Sequence, residues 1–190
     1  VPIVKKSAPE LSKKVMDTGK KLQGSLQEAG FSTSFDDRDE YSPGFKFNEW
    51  ELKGVPLRVE LGPRDIESES CVVVKRNTGE KLTIKLKDLE KEVPKLLEAM
   101  HKELLDKAYG DVNSRKMETT DYEAFKQLLD AKKIVLAHHC AEEECEDLIK
   151  ADTQGATSRC RPLNDDAPAK DAKCIRCQKP AKYKILFSRN

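Results

Sequence analysis

The sequence predicts an α/β domain, a mixed sheet with flanking helices, followed by a small α+β unit organised by cysteines. Three observations carry this. Over the first hundred residues, helically spaced apolar stretches alternate with short stretches of period-two patterning. A helix-start signal then opens a new unit near Thr119. Beyond it stand two cysteine pairs, Cys140 with Cys145 and Cys174 with Cys177, at metal-ligand spacings.

Taken in order, residues 1–4 are apolar and expected as the end of a strand, which makes a piece of a longer protein the expectation. Leu11, Val15, Leu22 and Leu26 recur at helical spacing, and Gly30 ends that helix. Residues 31–35 alternate apolar and polar and predict a half-buried strand. Ser42 is a suitable N-cap with Pro43 at the first helical position, and Gly54 is a left-handed stop followed by Pro56. In PLRVEL, Leu57, Val59 and Leu61 face one way and Arg58 and Glu60 the other. Gly62-Pro63 stops that strand, with Arg64 and Asp65 expected in the loop beyond it. CVVVK and KLTIKL are strands joined by the NTGE turn. A long helix is expected from Asp88 to about Arg115, with Pro94 tolerated near its start. Thr120 and Glu123 predict a capping box for a short helix, and KIVLAHH a strand. The expected division is residues 1–100, a connecting helix at 101–118, and residues 119–190.

Charged residues make up 36% of the 190 residues, yet the formal net charge is only +1. That balance excludes a polybasic nucleic-acid binder and leaves room for a local basic groove. No apolar run reaches the length of a membrane span. Gly-rich phosphate loops, nucleophile elbows and HExxH are all missing from the sequence.

Residues 45–65 hold eight charges, Lys46, Glu49, Glu51, Lys53, Arg58, Glu60, Arg64 and Asp65, and are punctuated by two Gly/Pro breaks, Gly54–Pro56 and Gly62–Pro63. Composition alone reads them as solvated surface ion pairs, each worth little. Their placement at a helix end, on a strand face and beyond the strand's carboxyl end suggests a ligand edge instead, because open α/β sheets bind there.

Paired thiolates from two tight turns reach one tetrahedral ion, and zinc suits sulfur ligands without redox chemistry. Four protein ligands leave no open position, so the ion is expected to be structural. The other reading is four reduced structural cysteines or two disulfides. Cys71 and Cys160 are expected in the core, with Cys160 as an alternative ligand. His138 and His139 flank Cys140, but four cysteines already complete the shell. His101 belongs to the long helix.

DDRDEYSPGFKFNEWELKGVPLRVELGPRD closely resembles the anticodon-binding domain of prolyl-tRNA synthetases of the archaeal and eukaryotic type. YEAFKQLLDAKKIVLAHHCAEEECEDLIK, GATSRCRP and CIRCQKPAKY resemble that family's C-terminal zinc-binding domain. The resemblance covers essentially the whole chain. It implies a class II synthetase anticodon-binding fold and a parent proline–tRNA ligase that joins proline to its tRNA with ATP and Mg2+ in an upstream class II catalytic domain not present in this chain. It further implies a cytoplasmic homodimer and no membrane partner. The chain alone is expected to be inactive. Residues matching the family's anticodon readers are Glu51, Arg58, Arg64, Asp65 and Lys81. Proline anticodons carry guanine at their second and third positions; carboxylates accept from guanine N–H groups and arginines donate to O6 and N7. Relatives commonly end in a tyrosine that reaches toward the active site, whereas this chain ends in Asn190, so that role is not carried over. Two alternatives stand beside this reading: a free-standing tRNA- or protein-binding module of the same descent without ligase activity, and a general zinc-ribbon nucleic-acid binder.

Overall fold

A computed structural model describes residues 1–4, 8–164 and 167–189; the Asn190 terminus and two residues of the polar loop between the cysteine pairs lie outside them. The chain forms two compact units, Val1–Asp106 and Lys107–Asn190.

In the first unit, α1 (Pro9–Glu28) buries Val15 and Leu26. It ends in a Schellman turn: Gly30 N–H donates to the Gln27 carbonyl at 2.9 Å and Phe31 N–H to the Leu26 carbonyl at 3.0 Å. Residues 31–35 do show the alternating burial expected of a strand, but they join no sheet. The apolar side chains on this stretch are held by helix packing instead. Phe35 lies so close to Gly19 of α1 that a Cβ there would come within 2.5 Å of its ring. Next come α2 (Pro43–Leu52), β1 (Leu57–Glu60), α3 (Pro63–Glu67), β2 (Ser70–Lys75), β3 (Lys81–Lys85), a 3-10 turn (Leu86–Asp88) and α4 (Leu89–Arg115), whose last turns belong to the second unit.

Strand order is β1-β2-β3, both pairings antiparallel. The amino-terminal residues add a parallel contact at the β1 edge: Ile3 N–H donates to the Leu61 carbonyl at 2.8 Å and Leu61 N–H to the Val1 carbonyl at 3.2 Å. One sheet face packs on the helices. Cys71, Val73, Leu61, Leu89, Val93 and Val15 form that core, each contributing roughly 1.5–3 kcal/mol where a large side chain is fully buried. Burial pushes the Cys71 thiol up to about 11, as expected of a packed, inert cysteine.

Arg64 and Asp65, expected in a loop, lie in α3. The reason is local: Pro63 takes the first helical position, and the Asp65 carboxylate accepts from Gly62 N–H at 2.7 Å. Gly62 has no side chain to reciprocate, so this is half of a capping box.

The second unit holds β4 (Lys116–Glu118), α5 (Tyr122–Asp130), β5 (Ile134–His139), α6 (Glu143–Asp152), β6 (Thr157–Cys160) and β7 (Tyr183–Ser188). Its mixed sheet runs β4-β5-β7-β6, with β4 parallel to β5 and the other pairs antiparallel. Asp121, not Thr120, caps α5: its side chain accepts from Ala124 N–H at 2.7 Å. The expected Thr120–Glu123 capping box does not form, because with Asp121 as the cap the third helical position is Ala124, which has no polar side chain to reciprocate. Phe125, Leu129, Val135, Ile149 and Phe187 fill the core, with Phe125 edge-on to Phe187 at 5.4 Å. Cys160, expected in the core, is exposed on β6, at the edge of the sheet where a register shift disturbs the ladder.

Candidate nucleic-acid interface and metal centre

Most of the charges of residues 45–65 divide into two groups, with Arg64 and Asp65 standing apart from both. Lys46, Glu49 and Lys53 of the α2 region serve structure. They gather with Arg38 and Trp50 about Asp36, whose carboxylate is buried. Arg38 donates to both Asp36 oxygens at 2.8 Å, and Trp50 Nε1–H donates to Oδ2 at 2.8 Å. Arg38 also reaches Glu49 at 2.5 Å, Lys53 reaches Glu49 at 2.7 Å, and Lys46 donates to the Asp36 backbone carbonyl at 3.3 Å. Hydrogen bonds from Arg38 hold the Asp36 carboxyl well below the usual carboxylate range, against the opposing effect of burial.

The second group faces a cleft of about 140 Å³ lined by Trp50, Glu51, Val55, Arg58, Lys75 and Lys81, among others. Helix α2 and all three strands supply it. Glu51 sits in the last turn of α2. That helix ends at Gly54, whose φ of +81° permits a Schellman turn: Gly54 N–H donates to the Glu51 carbonyl at 3.0 Å and Val55 N–H to the Trp50 carbonyl at 3.1 Å. Arg58 pairs across the sheet with Val74, and Val74 with Lys81, so the three share one row and one face.

Arg58 is held firmly. Its Nε and Nη2 lie 3.0 and 2.9 Å from Glu60 Oε1, its guanidinium carbon sits 4.4 Å from the Phe47 ring centroid, and Nη1 donates to the Phe47 carbonyl at 3.5 Å. Only 15% of its side chain is exposed. Lys81 is 63% exposed, with Nζ 4.0 Å from Glu60 Oε2. Arg64 and Asp65 do not line this cleft. They follow the other end of β1, where Arg64 is exposed and one Asp65 oxygen is taken by the Gly62 cap.

Sequence reasoning did not single out Trp50, Lys75 or Arg76 as lining residues, nor Glu60 as a partner of Arg58. The last was within reach, because residues two apart on a strand share a face.

In the second unit the four expected cysteines do come together. Cys140 follows β5, Cys145 lies in the first turn of α6, and Cys174 and Cys177 sit on a turn after the polar loop. This turn is closed by Cys174 N–H donating to the Lys179 carbonyl at 2.8 Å and Gln178 N–H to the Cys174 carbonyl at 3.2 Å. It is pinned to β5 by Ile175 N–H donating to the His138 carbonyl at 2.8 Å and Lys182 N–H to the His139 carbonyl at 2.8 Å.

Sγ of Cys145 lies 3.6 Å from that of Cys174, and Cys177 Sγ 3.6 Å from Cys140 Sγ. A disulfide requires about 2.0 Å. Four sulfurs about 2.3 Å from a central tetrahedral ion stand about 3.8 Å apart. The spacing therefore fits ion ligation and not a disulfide.

Burial, with the neighbouring sulfurs, pushes the Cys140 and Cys145 thiols up. Cys174 behaves oppositely: burial opposes its ionisation, but backbone N–H groups of Cys177, Arg176 and Cys140 outweigh that and hold it lower. One residue joins the cluster unexpectedly. A nitrogen of His139 and the sulfurs of Cys140, Cys145 and Cys174 all lie within 4.8 Å of one another. His139 Nδ1 accepts from Ala141 N–H at 3.1 Å, Nε2 is buried without a partner, and the ring packs edge-on to Phe187. No described helix is long and apolar enough to cross a membrane.

Comparison with known proteins agrees with this division. Residues 1–96 match the family model for an anticodon binding domain, and residues 122–190 that for the prolyl-tRNA synthetase C-terminal domain. The chain is 43% identical over 191 residues to a bifunctional glutamate/proline–tRNA ligase of Drosophila melanogaster, covering 93% of this chain and 11% of that protein. It is 33% identical to a putative proline–tRNA ligase of Saccharomyces cerevisiae, covering 100% of this chain and 30% of that protein. It is 39% identical to a proline–tRNA ligase of Alkaliphilus oremlandii, covering 92% and 36%. The chain thus spans well under half the length of these relatives. An α/β unit with a charged cleft, followed by a cysteine-gathering unit, each matching its own family model, makes this chain a member of the prolyl-tRNA synthetase family carrying its anticodon-binding and C-terminal domains.

Proposed function

We propose that the first unit reads the two guanines of the proline tRNA anticodon on behalf of a parent proline–tRNA ligase, whose upstream class II domain joins proline to that tRNA with ATP and Mg2+. The observation that carries this reading is the cleft itself. Helix, strand and hairpin deliver Glu51, Arg58 and Lys81 to one small hollow beside Trp50.

Glu51 supplies an acceptor for guanine N–H groups, Arg58 supplies donors for O6 and N7, and Lys81 supplies charge toward the backbone. Arg64 and Asp65 form a second station. Gly62, which caps their helix, lies four residues along from Arg58, roughly 13 Å at the rise of an extended strand. That separation suits a neighbouring unstacked base better than the same one. Asp65 retains one carboxylate oxygen for it.

In the second unit we propose a structural zinc ion held by Cys140, Cys145, Cys174 and Cys177. The ion supplies a cross-link between α6, the β5 end and the distal turn, in place of a larger apolar core. A cytoplasmic, homodimeric parent follows from the same family reading.

The test is a titration of proline tRNA and of a tRNA whose two guanines are replaced by adenines, at fixed salt. A bidentate contact is worth roughly 1–3 kcal/mol of discrimination. Arg58→Ala is expected to weaken proline tRNA binding about tenfold or more, and to leave the swapped tRNA unchanged, because there the contact is already lost. Equal weakening of both tRNAs would reduce the cleft to a general electrostatic surface.

A further inference from the structure

Glu60 is a buried carboxylate whose nearest partners are both members of the proposed reading site. Its residue is 6% exposed. One oxygen takes the Nε and Nη2 edge of Arg58 at 3.0 and 2.9 Å, and the other stands 4.0 Å from Lys81 Nζ. Its position follows from the ladder. Arg58 and Glu60 are two apart on β1 and share a face, and Glu60 pairs with Val72, beside the Arg58–Val74–Lys81 row.

A guanidinium carries five N–H donors in one plane. Glu60 occupies the Nε edge, the Phe47 ring supports one face, and the Phe47 carbonyl takes a long contact from Nη1. What remains for a ligand is the outer pair of donors on Nη1 and Nη2, fixed in direction, which is the fork that matches O6 and N7 of a guanine.

We infer that Glu60 is the positioning residue for Arg58, converting a mobile cation into an oriented base reader and suppressing its attraction to phosphate. This inference rests on the reading of the cleft given above. Its second half follows from charge. Arg58, Lys81 and Glu60 together carry one positive charge, and without the carboxylate they carry two. Two free cations on one sheet face would bind any RNA backbone, and that term carries no sequence information. A paired arginine gives up some of that general attraction and keeps its geometry.

The experiment uses the whole chain with proline tRNA and the adenine-swapped tRNA over a range of salt concentrations. Glu60→Gln keeps the side-chain size and removes the charge. Discrimination between the two tRNAs is expected to fall about tenfold, as for Arg58→Ala, since the same bidentate contact loosens. Unlike Arg58→Ala, Glu60→Gln is expected to raise affinity for the swapped tRNA. It is also expected to steepen its salt dependence by about 0.7 for the added single-strand phosphate contact. In an Arg58→Ala background, Glu60→Gln should cause no further loss of discrimination.

Wild-type discrimination in Glu60→Gln, or an undiminished loss in the Arg58→Ala background, overturns the inference while the reading of the cleft stands. If Arg58→Ala itself leaves discrimination intact, the reading fails and this inference with it. Should Glu60→Gln unfold on heating well before wild type, Glu60→Asp decides. It keeps the charge but shortens the reach, so it should lose discrimination with the salt dependence unchanged; retained discrimination overturns the inference.

Discussion

The cleft of the first unit and the cysteine cluster of the second are both small groups of polar side chains drawn from three separate places in the chain. They are assembled by opposite means. At the cleft the protein itself holds the parts: Asp36 ties α2 to its preceding loop, and Glu60 ties Arg58 to the sheet. At the cysteines, hydrogen bonds close the Cys174–Cys177 turn, and the sulfurs meet in two pairs at 3.6 Å with a His139 nitrogen beside three of them. The first arrangement is held by its own ion pairs and hydrogen bonds. The second is a set of donors whose mutual burial makes sense once a cation sits among them.

The largest expected effect therefore belongs to the cysteines. Structural zinc contributes apparent free energies of roughly 10–16 kcal/mol in small zinc domains. Cys174→Ser is expected to release the metal and abolish cooperative unfolding of residues 107–190, while the first unit still melts as before. Metal analysis of the purified protein, with calorimetry, checks this. A strong chelator should reproduce it in the wild-type chain. Exposed Cys160→Ser is the control and should keep both metal and transition.

The counterpart in the first unit is Asp36→Asn. It removes the charge that Arg38 and Lys46 face, and the side chains of Asp36 and Lys46 are almost wholly buried. Breaking a buried ionic group costs about 3–5 kcal/mol. Because Arg38 is a third exposed, the lower end, about 3 kcal/mol, is expected here. The pH dependence has a definite sign. The folded Asp36 carboxyl titrates well below its ordinary range, so its contribution is complete above the unfolded value of about 3.9 and is lost as pH falls through the folded one. Below about pH 4 the wild-type chain should lose more stability per pH unit than Asp36→Asn does. Chemical denaturation at pH 7 and at pH 3 measures both. Chelator should leave this transition untouched, which separates the two units cleanly.

The same contrast explains what could be read in advance. The gathering of the four cysteines was legible because metal chemistry constrains residue type and spacing together. His139 does not stand out in the sequence, because four sulfurs already satisfy a tetrahedral ion. Only the fold shows that β5 delivers its ring to three of them. On the cleft side, the alternation of Leu57–Leu61 and the stop at Gly54 were legible because period and glycine conformation are local.

The division of labour among the charges was not. Lys46 and Arg58 are both cations in one short segment, yet one is tied to the Asp36 region and the other borders the cleft. Nothing in the order of residues separates them, since the deciding partner, Asp36, is ten residues from Lys46 and belongs to a different element. The strand expected at residues 31–35 failed for a related reason. Alternating burial was produced by packing on α1, and a period of two does not say what covers the apolar side.

The smallest effect tests how much of the cleft's geometry comes from its ion pairs and how much from the turn that joins its walls. Gly54 has φ +81°, and a Cβ built there would meet nothing within 4 Å. Gly54→Ala therefore adds no clash, and its cost is the left-handed backbone alone, about 1 kcal/mol. Gly54→Asn should recover part of that, because asparagine tolerates this conformation better than alanine. If the Asp36 network and the Glu60–Arg58 pair fix the cleft, Gly54→Ala should melt a few degrees early and still discriminate the two tRNAs as wild type does. The Schellman turn then only has to close, and either residue lets it close. If instead the turn sets the approach of Glu51 to Arg58, discrimination should fall in step with stability across Gly, Asn and Ala. Side-by-side melting and titration of the three variants distinguishes these outcomes. The hydrogen bond from Trp50 to Asp36 and the packing of Arg58 on Phe47 favour the first.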